Sequence, residues 1–248
     1  MRGGDDVHAN SRIPISAQET THEHLATLLE RHRHSSFRKP YANYNRLAFA
    51  ASIERWQRLA PSLPLILDAG CGTGESSLML ATLFPGHYVI GVDQSPVRLR
   101  RRIATQDRGE PHRSSPLIPS GLGGGEAEGL ANVGFVRADL VDYWRLLRDA
   151  GIRPARHYLF YPNPWPKIGH LSRRWHGHPV FPTVLDLGGV LECRSNWRIY
   201  IEEFCQAVNT ITGREIHCEA FTPDPPQTPF ERKYLASGHE LFRAVVHL

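Results

Sequence analysis

From Leu65 onward, short apolar runs alternate with segments of helical periodicity, and this alternation constrains the fold more than any other feature of the sequence. Strands separated by helices of this length form a parallel sheet that is covered on both faces. The runs predicted to be buried strands are Leu65–Leu67, Tyr88–Val92, Val133–Val136, Tyr158–Phe160 and Val190–Cys193. Two closing stretches, near residues 215–221 and 240–246, are predicted to pair at the end of the sheet. The sequence therefore predicts an α/β fold with a doubly wound, mostly parallel sheet and a final antiparallel strand.

The chain of 248 residues is long enough for one such domain, since 41% of it is hydrophobic and 22% is charged. Residues 1–20 are polar and lack periodicity, which predicts a disordered or loosely attached tail. Residues 21–60 carry apolar side chains at helical spacing and are predicted to form an N-terminal helical region before the sheet domain over 61–248. Within that domain, residues 106–132 are rich in glycine, proline and serine, which is typical of a mobile surface loop.

Composition also limits where the protein works. No stretch approaches the roughly 18 uninterrupted apolar residues of a membrane span, and the N-terminus lacks the apolar segment of a secretory signal. The four cysteines are too scattered for a disulfide framework or a zinc ribbon. We therefore expect a soluble cytoplasmic protein with no membrane contact. The formal net charge of +4 permits an anionic partner without requiring one.

The segment Asp68–Gly74 lies between the first predicted strand and the helix that follows it. Its glycines, Gly70, Gly72 and Gly74, allow a sharp turn and a close approach of the backbone to a ligand. Their Gly-x-Gly-x-Gly spacing differs from the Gly-x-Gly-x-x-Gly of a dinucleotide fold, and no Lys-Ser/Thr pair follows as in a nucleotide P-loop. The pattern resembles motif I of Rossmann-like S-adenosylmethionine methyltransferases. That resemblance implies that the turn and Asp68 hold the methionine moiety of the cofactor.

Acidic residues also end the next two predicted strands. Asp93 follows the second strand, 19 residues beyond Gly74, where a carboxylate can accept two hydrogen bonds from a ribose diol. Asp139 follows the third strand, at the position that contacts the adenine amine in such methyltransferases. Asp139 can equally be the N-cap of the helix that follows it, and the two roles are compatible.

The most specific segment follows the fourth predicted strand. It reads Phe-Tyr-Pro-Asn-Pro-Trp-Pro-Lys over residues 160–167, and His170, Arg173 and Arg174 come after it. This segment closely resembles the signature of the bacterial tRNA (guanine-N7-)-methyltransferase family.

Two further blocks support the resemblance. They are Ser-Asn-Trp at 195–197 with Tyr200, and Thr-Pro-Phe-Glu-Arg at 228–232 with Gly238 and His239 beyond it. The resemblance covers roughly residues 65–246 and fails over the N-terminal region and the glycine-rich insertion.

The resemblance implies an enzyme that transfers a methyl group from S-adenosylmethionine to guanine N7 in tRNA. The cofactor contacts that it implies are Asp68, Asp93, Asp139 and Asn163, with Asn163 at the catalytic position. The guanine or tRNA contacts that it implies are Lys167, Asn196, Thr228 and Glu231. We also expect the basic cluster of Lys167, Arg173 and Arg174 to contact RNA phosphates, although such clusters are commonly solvated faces.

Two residues depart from the family pattern, because Asn163 and Asn196 stand where the family has aspartates. Methyl transfer is an in-line displacement, and guanine N7 already carries a lone pair, so no proton has to be removed before attack. The protein mostly orients the two reactants. A carboxylate would also stabilise the positive charge that develops on the purine. The exchange to asparagine is therefore predicted to weaken a guanine-N7 site without abolishing it.

The same residues support other interpretations. Asn163-Pro164-Trp165 also resembles the Asn/Asp-Pro-Pro-aromatic loop of methyltransferases that act on exocyclic amines or amides, where the asparagine carbonyl accepts an N–H. Another alternative is an inactive relative that binds tRNA or the cofactor without turnover. No metal site is predicted, because the histidines near this loop lack a cysteine or carboxylate to complete a ligand set. The sequence predicts no oligomeric state.

Overall fold

The protein is organised around a seven-stranded sheet within residues 11–35, 37–99 and 131–248, which the computed structural model describes. The strands are β1 (Leu65–Ala69), β2 (Tyr88–Asp93), β3 (Val133–Arg137), β4 (Arg156–Phe160), β5 (Val190–Ser195), β6 (Glu219–Phe221) and β7 (Leu241–His247). Their spatial order is β3-β2-β1-β4-β5-β7-β6. The five strands β1 to β5 pair in parallel, while β7 runs antiparallel to both β5 and β6. The predicted fold class is confirmed.

Helices cover both faces of this sheet, which is why strands such as β1 are buried along their whole length. The described helices are α1 (Leu25–Arg33), α2 (Asn43–Leu59), α3 (Glu75–Leu83), α4 (Leu140–Asp149), α5 (Phe181–Asp186), α6 (Arg198–Thr212) and α7 (Pro229–Ala236). Leu25 and Leu29 of α1 are fully buried and share one hydrophobic core with the sheet. Over the described ranges, no helix is long and apolar enough to cross a membrane.

The chain reverses direction across the sheet between β1 and β4. It runs outward from β1 through β2 to β3, then crosses back to place β4 on the other side of β1. In such sheets a crevice forms outside the carboxyl ends of the strands at this point, and ligands bind there. The residues that follow β1, β4 and β5 therefore meet at the same edge.

Residues 11–20 are not the loosely attached tail that their composition predicts. The Ser11 amide donates to Ser237 Oγ at 3.2 Å, and Ser16 Oγ donates to the Pro166 carbonyl at 2.6 Å. These partners lie more than 100 positions away along the chain, so local composition carries no sign of them. Residues 1–10, and most of the predicted loop at 106–132, lie outside the described residues.

Helix α7 is absent from the sequence-based prediction, although the sequence carries a signal for it. Thr228 is its N-cap and accepts from the Glu231 amide, while the Glu231 carboxylate accepts from the Thr228 amide. This reciprocal arrangement is a capping box, and Pro229 occupies the first helical position. The order Thr-Pro-x-Glu was therefore enough to predict a helix start.

Candidate functional site

A cavity of about 740 Å³ opens at the carboxyl edge of the sheet, at the point where the chain reverses. Its walls come from the glycine turn after β1, the loop after β4, the residue after β5, the start of α7 and residues 12–15. Representative lining residues are Arg12, Gly70, Gly72, Asn163, Asn196 and Thr228. The volume lies within the range of about 300–1,000 Å³ that is typical of small-molecule and cofactor sites.

The glycines of the turn after β1 have left-handed backbone conformations. Gly70 has a φ of +85° and Gly74 a φ of +82°, conformations that other residues adopt at a cost. Gly70 and Gly72 line the cavity, so their backbone is open to a ligand. Gly74 has a different role, because a Cβ built there would lie 2.4 Å from the Phe135 ring. Its lack of a side chain lets α3 pack close to β3.

Asp68 lies at the end of β1 and is almost completely buried behind the turn. Its Oδ2 accepts from Ser76 Oγ at 2.6 Å and from Ser77 Oγ at 2.7 Å. Burial raises the pKa of this carboxyl to about 6, and the two hydroxyls and Asp93 have smaller effects. No basic side chain among the described residues forms an ion pair with Asp68. Ser76 also lines the cavity, so the carboxylate lies one side chain behind the cavity wall.

Asp93 ends β2 and already uses both carboxylate oxygens. Oδ1 accepts from the Ser95 amide at 2.7 Å, and Oδ2 accepts from the Gly72 amide at 3.0 Å. Arg98 Nη1 also donates to Oδ2 at 3.1 Å, and the Arg98 side chain is 58% exposed and lines the cavity. Oδ2 thus accepts two hydrogen bonds and Oδ1 accepts one, and Asp93 itself does not line the cavity. A ribose diol that binds both oxygens of Asp93 would displace the guanidinium of Arg98.

Asp139 is the N-cap of α4, where its Oδ1 accepts from the Val141 amide at 2.8 Å. Its own amide donates to Asn45 Oδ1, which ties α2 to the start of α4. The capping role is therefore present, while Asp139 is not among the residues that line the cavity. Its contact with an adenine amine stays a prediction.

Asn163 is exposed in the loop that follows β4, and its own loop holds its side chain. The Trp165 amide donates to Asn163 Oδ1 at 3.3 Å. Trp165 has a φ of +46°, which is unusual for a residue with a large side chain. Such strain persists where surrounding contacts determine the conformation. Here Arg174 donates to the Trp165 carbonyl from Nε at 3.3 Å and from Nη2 at 3.2 Å.

The prediction that Arg174 contacts RNA phosphates is wrong, because its side chain is fully buried. Its Nη1 donates to Glu203 Oε2, its Nη2 donates to Gln18 Oε1, and its guanidinium packs 4.8 Å from the centre of the Trp197 ring. Glu203 is equally buried, and its Oε2 also lies 2.8 Å from His176 Nε2. Burial alone would raise the pKa of Glu203, but His176 and, after it, Arg174 lower that pKa to about 2. A buried cation needs such a partner. Arg174 is therefore a structural residue beneath the Asn163 loop.

The other two members of the basic cluster are exposed beside the same loop. Lys167 follows the Pro-Trp-Pro turn, and Arg173 stacks its guanidinium 4.8 Å from the centre of the Trp165 ring. His170 packs edge-on against that ring. These side chains form a basic and aromatic rim beside Pro164 and Pro166, which line the cavity, while the rim residues do not line it themselves.

Glu231 is fully buried and does not line the cavity, which corrects its predicted contact with substrate. Its carboxylate accepts from Arg194 Nη1 at 2.7 Å and from the Tyr161 hydroxyl at 3.0 Å, in addition to its capping bond with Thr228. The negative charge of Glu231 is therefore paired with Arg194 inside the protein. Thr228 does line the cavity, although its Oγ1 caps α7.

Asn196 follows β5, lines the cavity and is 9% exposed. Its Nδ2 lies 3.1 Å from His239 Nδ1. Sequence reasoning missed the structural roles of His239, Gln18 and Glu203, and the position of Arg12 in the cavity wall. The Gly-His pair at 238–239 was a visible signal only for His239.

Metal-ligating side chains do not cluster in the part of the chain that the structure describes. No group of three or more histidine, cysteine, aspartate or glutamate residues is placed to hold a metal ion there. The four cysteines are free thiols, and Cys71 in the glycine turn is buried with its pKa raised well above the usual value by desolvation.

Comparison with known proteins relates the chain to a group of methyltransferases. The family described as "Putative methyltransferase" matches residues 62–244. The tRNA (guanine-N(7)-)-methyltransferase of Halorhodospira halophila is 30% identical over 199 residues, which span 75% of each chain. The protein of the same name from Acinetobacter baylyi is 25% identical over 189 residues, which span 73% of this chain and 69% of that protein.

Solved structures show the same fold at lower identity. An antibiotic-related methyltransferase superposes with a TM-score of 0.53 and 15% identity, over 85% of this chain and 97% of that one. A 16S rRNA adenine-N1 methyltransferase of Catenulisporales acidiphilia superposes with a TM-score of 0.51 and 17% identity, over 79% of this chain and 91% of that one. The sheet therefore has the Rossmann-like methyltransferase topology.

Proposed function

Because this chain belongs to the tRNA (guanine-N(7)-)-methyltransferase family, we propose that it transfers the methyl group of S-adenosylmethionine to N7 of a guanine in tRNA. The observation that carries the proposal is the cavity that joins the glycine turn to Asn163 and Asn196. We call the part of the cavity at the glycine turn the cofactor side, and the part at Asn163 and Asn196 the acceptor side. Such an enzyme acts in the cytoplasm, where tRNA is found.

The residues of the cofactor side fit S-adenosylmethionine. The buried Asp68 carboxylate lacks a cation among the described residues, and the cofactor carries an ammonium and a sulfonium charge. Asp93 offers a buried carboxylate for the ribose once Arg98 leaves it. When bound, S-adenosylmethionine supplies an electrophilic methyl group. The cavity wall at Gly70 and Gly72 brings backbone rather than side chain toward it.

On the acceptor side, the protein contributes mainly by orienting the guanine base. Guanine N7 is an unprotonated acceptor, so the reaction needs no general base before attack. Asn163 and Asn196 offer dipoles to orient the base, and the exclusion of water and the fixed geometry are worth roughly 7–11 kcal/mol in favourable cases. The alternative that Asn163 accepts from an exocyclic amine is not favoured, because relatives that match most of this chain are named tRNA (guanine-N(7)-)-methyltransferases.

The proposal is tested with tRNA transcripts that contain 7-deazaguanosine, in which a carbon replaces N7. We expect methyl incorporation from labelled S-adenosylmethionine into ordinary transcripts and background incorporation into the 7-deaza transcripts. Equal incorporation into both would contradict guanine N7 as the acceptor. Cofactor binding without incorporation into either would identify an inactive relative.

Removing the charge of Arg98 is expected to tighten cofactor binding. Arg98→Gln frees Asp93 Oδ2 for the ribose, and exposed ion pairs contribute about 0.2–1 kcal/mol, so the affinity rises by at most about fivefold. Titration calorimetry with S-adenosylhomocysteine measures this change, with Arg58→Gln on the exposed end of α2 as the matched charge control. Weaker binding by Arg98→Gln would mean that Arg98 contacts the ligand.

Lys167 and Arg173 are expected to contribute to the salt dependence of tRNA binding. Each phosphate contact adds about 0.7–0.9 to the slope of log affinity against log salt, so Lys167→Gln with Arg173→Gln flattens that slope by roughly 1.4–1.8. Arg174 is left unchanged because it is buried. The matched control neutralises Arg58 and Arg214, which are exposed elsewhere. Equal slopes for the two double variants would place the rim outside the RNA interface.

A further inference from the structure

His239 connects the N-terminal segment to the acceptor side of the cavity. Its ring is 8% exposed and stacks on Tyr234 at 5.3 Å between ring centres and 13° between planes. Nε2 lies 3.0 Å from the Ser11 carbonyl oxygen, and Nδ1 lies 3.1 Å from Asn196 Nδ2. The two nitrogens of one imidazole thus face one backbone group and one cavity side chain.

These two contacts determine where the proton of His239 lies. A carbonyl oxygen can only accept, so Nε2 must carry the hydrogen that binds Ser11. In a neutral imidazole the other nitrogen then has a lone pair, and Nδ1 accepts from the Asn196 amide group. The Asn196 carboxamide is therefore fixed with Nδ2 toward His239 and Oδ1 away from it. Oδ1 accepts no hydrogen bond from any described residue.

We propose that His239 is a positioning residue that presents Asn196 to the acceptor as a hydrogen-bond acceptor, with the Ser11 carbonyl selecting the His239 tautomer. The inference rests on the proposed function, since guanine has N–H donors at N1 and at its exocyclic amine that such an oxygen can bind. An aspartate presents an oxygen in either orientation. An asparagine presents its oxygen in only one of its two amide orientations. In the reversed orientation its N–H groups would face the N–H donors of the base. His239 thus holds Asn196 in the orientation that presents its oxygen.

A double-mutant cycle separates this role from a structural one. His239→Gln keeps a donor for Ser11 in its terminal Nε2 and leaves no acceptor at the position of Nδ1 beside Asn196, because its one side-chain acceptor is the Oε1 of the same terminal carboxamide. In the parent protein we expect His239→Gln to slow single-turnover methyl transfer to tRNA by about fivefold, with the affinity for S-adenosylhomocysteine within twofold of the parent. In the Asn196→Asp background we expect the same exchange to change the rate by less than twofold. Equal losses in both backgrounds would overturn the proposal.

The tautomer itself is measured without activity. Nitrogen-15 NMR of histidine-labelled full-length protein, with His239→Gln to assign the signals, reports which ring nitrogen carries the proton in slightly alkaline buffer. We expect the neutral form protonated at Nε2. A neutral form protonated at Nδ1, or an imidazolium, would overturn the proposal. Failure of the protein to methylate any tRNA would instead contradict the proposed function and would leave this spectroscopic result to stand by itself.

Discussion

Replacing Asp68 with asparagine is expected to weaken cofactor binding and to stabilise the protein at the same time. The carboxylate is buried without a cation among the described residues, so it costs free energy until a ligand supplies a positive charge. The carboxylate lies behind Ser76, so it acts on the ligand's ammonium group through charge attraction. Opposite unit charges a few ångströms apart attract each other by about 1–4 kcal/mol, so the loss of charge weakens binding of S-adenosylhomocysteine roughly 10- to 100-fold. The asparagine keeps an oxygen for the hydroxyls of Ser76 and Ser77.

The sign of the stability change follows from the raised pKa. Between the usual value of 3.8 and the folded value of about 6, the folded state holds the proton of Asp68 more tightly than the unfolded state. This tighter proton binding gives the folded state its full stabilisation below about pH 4, where the carboxyl group is protonated. The folded state loses that stabilisation as the pH rises through 6 and the group ionises. Above pH 6 the ionised group therefore costs up to about 3 kcal/mol, by 1.36 kcal/mol for each pKa unit. Asp68→Asn removes that cost.

Denaturant unfolding and ligand titration across pH measure both effects. We expect Asp68→Asn to be more stable than the parent by about 1–3 kcal/mol above pH 6, with a gain that shrinks toward pH 4. We expect the parent to bind S-adenosylhomocysteine about tenfold more weakly at pH 5 than at pH 7, and the variant to show no such dependence. Asp186→Asn, an exposed exchange on α5, is the matched control. A less stable variant with unchanged affinity would contradict this role of Asp68.

Introducing a carboxylate at position 163 is expected to accelerate methyl transfer. One oxygen of the introduced carboxylate can accept from the Trp165 amide as Asn163 does, so the loop keeps its conformation while the second oxygen carries charge toward the purine. A full charge near a developing cation is worth more than a dipole. We expect Asn163→Asp to raise the single-turnover rate on tRNA by about tenfold, which is roughly 1.4 kcal/mol.

The comparison needs three proteins at saturating cofactor. Asn163→Ala loses the contact with Trp165 and any acceptor toward the base, so its rate should fall below that of the parent. Equal affinity for S-adenosylhomocysteine in all three shows that the cofactor side is unchanged. If the parent were faster than Asn163→Asp on guanine N7, asparagine would be an adaptation of this site and not a weakened aspartate.

The sheet could be predicted from the sequence because its strands are buried on both faces. Segments such as Tyr88–Val92 must then be continuously apolar, and a continuous run is visible without knowledge of its neighbours. The glycine turn was equally visible, since Gly70 and Gly74 need backbone conformations that few other residues adopt. Both features depend on residue types that are neighbours in the sequence.

The errors concern residues whose roles depend on distant partners. Arg173 and Arg174 are adjacent in sequence, yet one is exposed and the other is buried against Glu203 on α6. Residues 11–20 look featureless because their partners, such as Pro166, lie far along the chain. Glu231 is different, because its capping role is encoded locally in the order Thr-Pro-x-Glu. The family resemblance instead implied a contact between Glu231 and the substrate.

The most direct test of the account is the identity of the methylated nucleoside. Unmodified tRNA is incubated with the full-length protein and isotopically labelled S-adenosylmethionine, digested to nucleosides, and analysed by mass spectrometry against synthetic standards. We expect labelled 7-methylguanosine in amounts that depend on the protein and that decrease with Asp68→Asn. Labelled methyl on an exocyclic amine, or no labelled nucleoside from any tRNA while S-adenosylhomocysteine binds, would contradict this expectation.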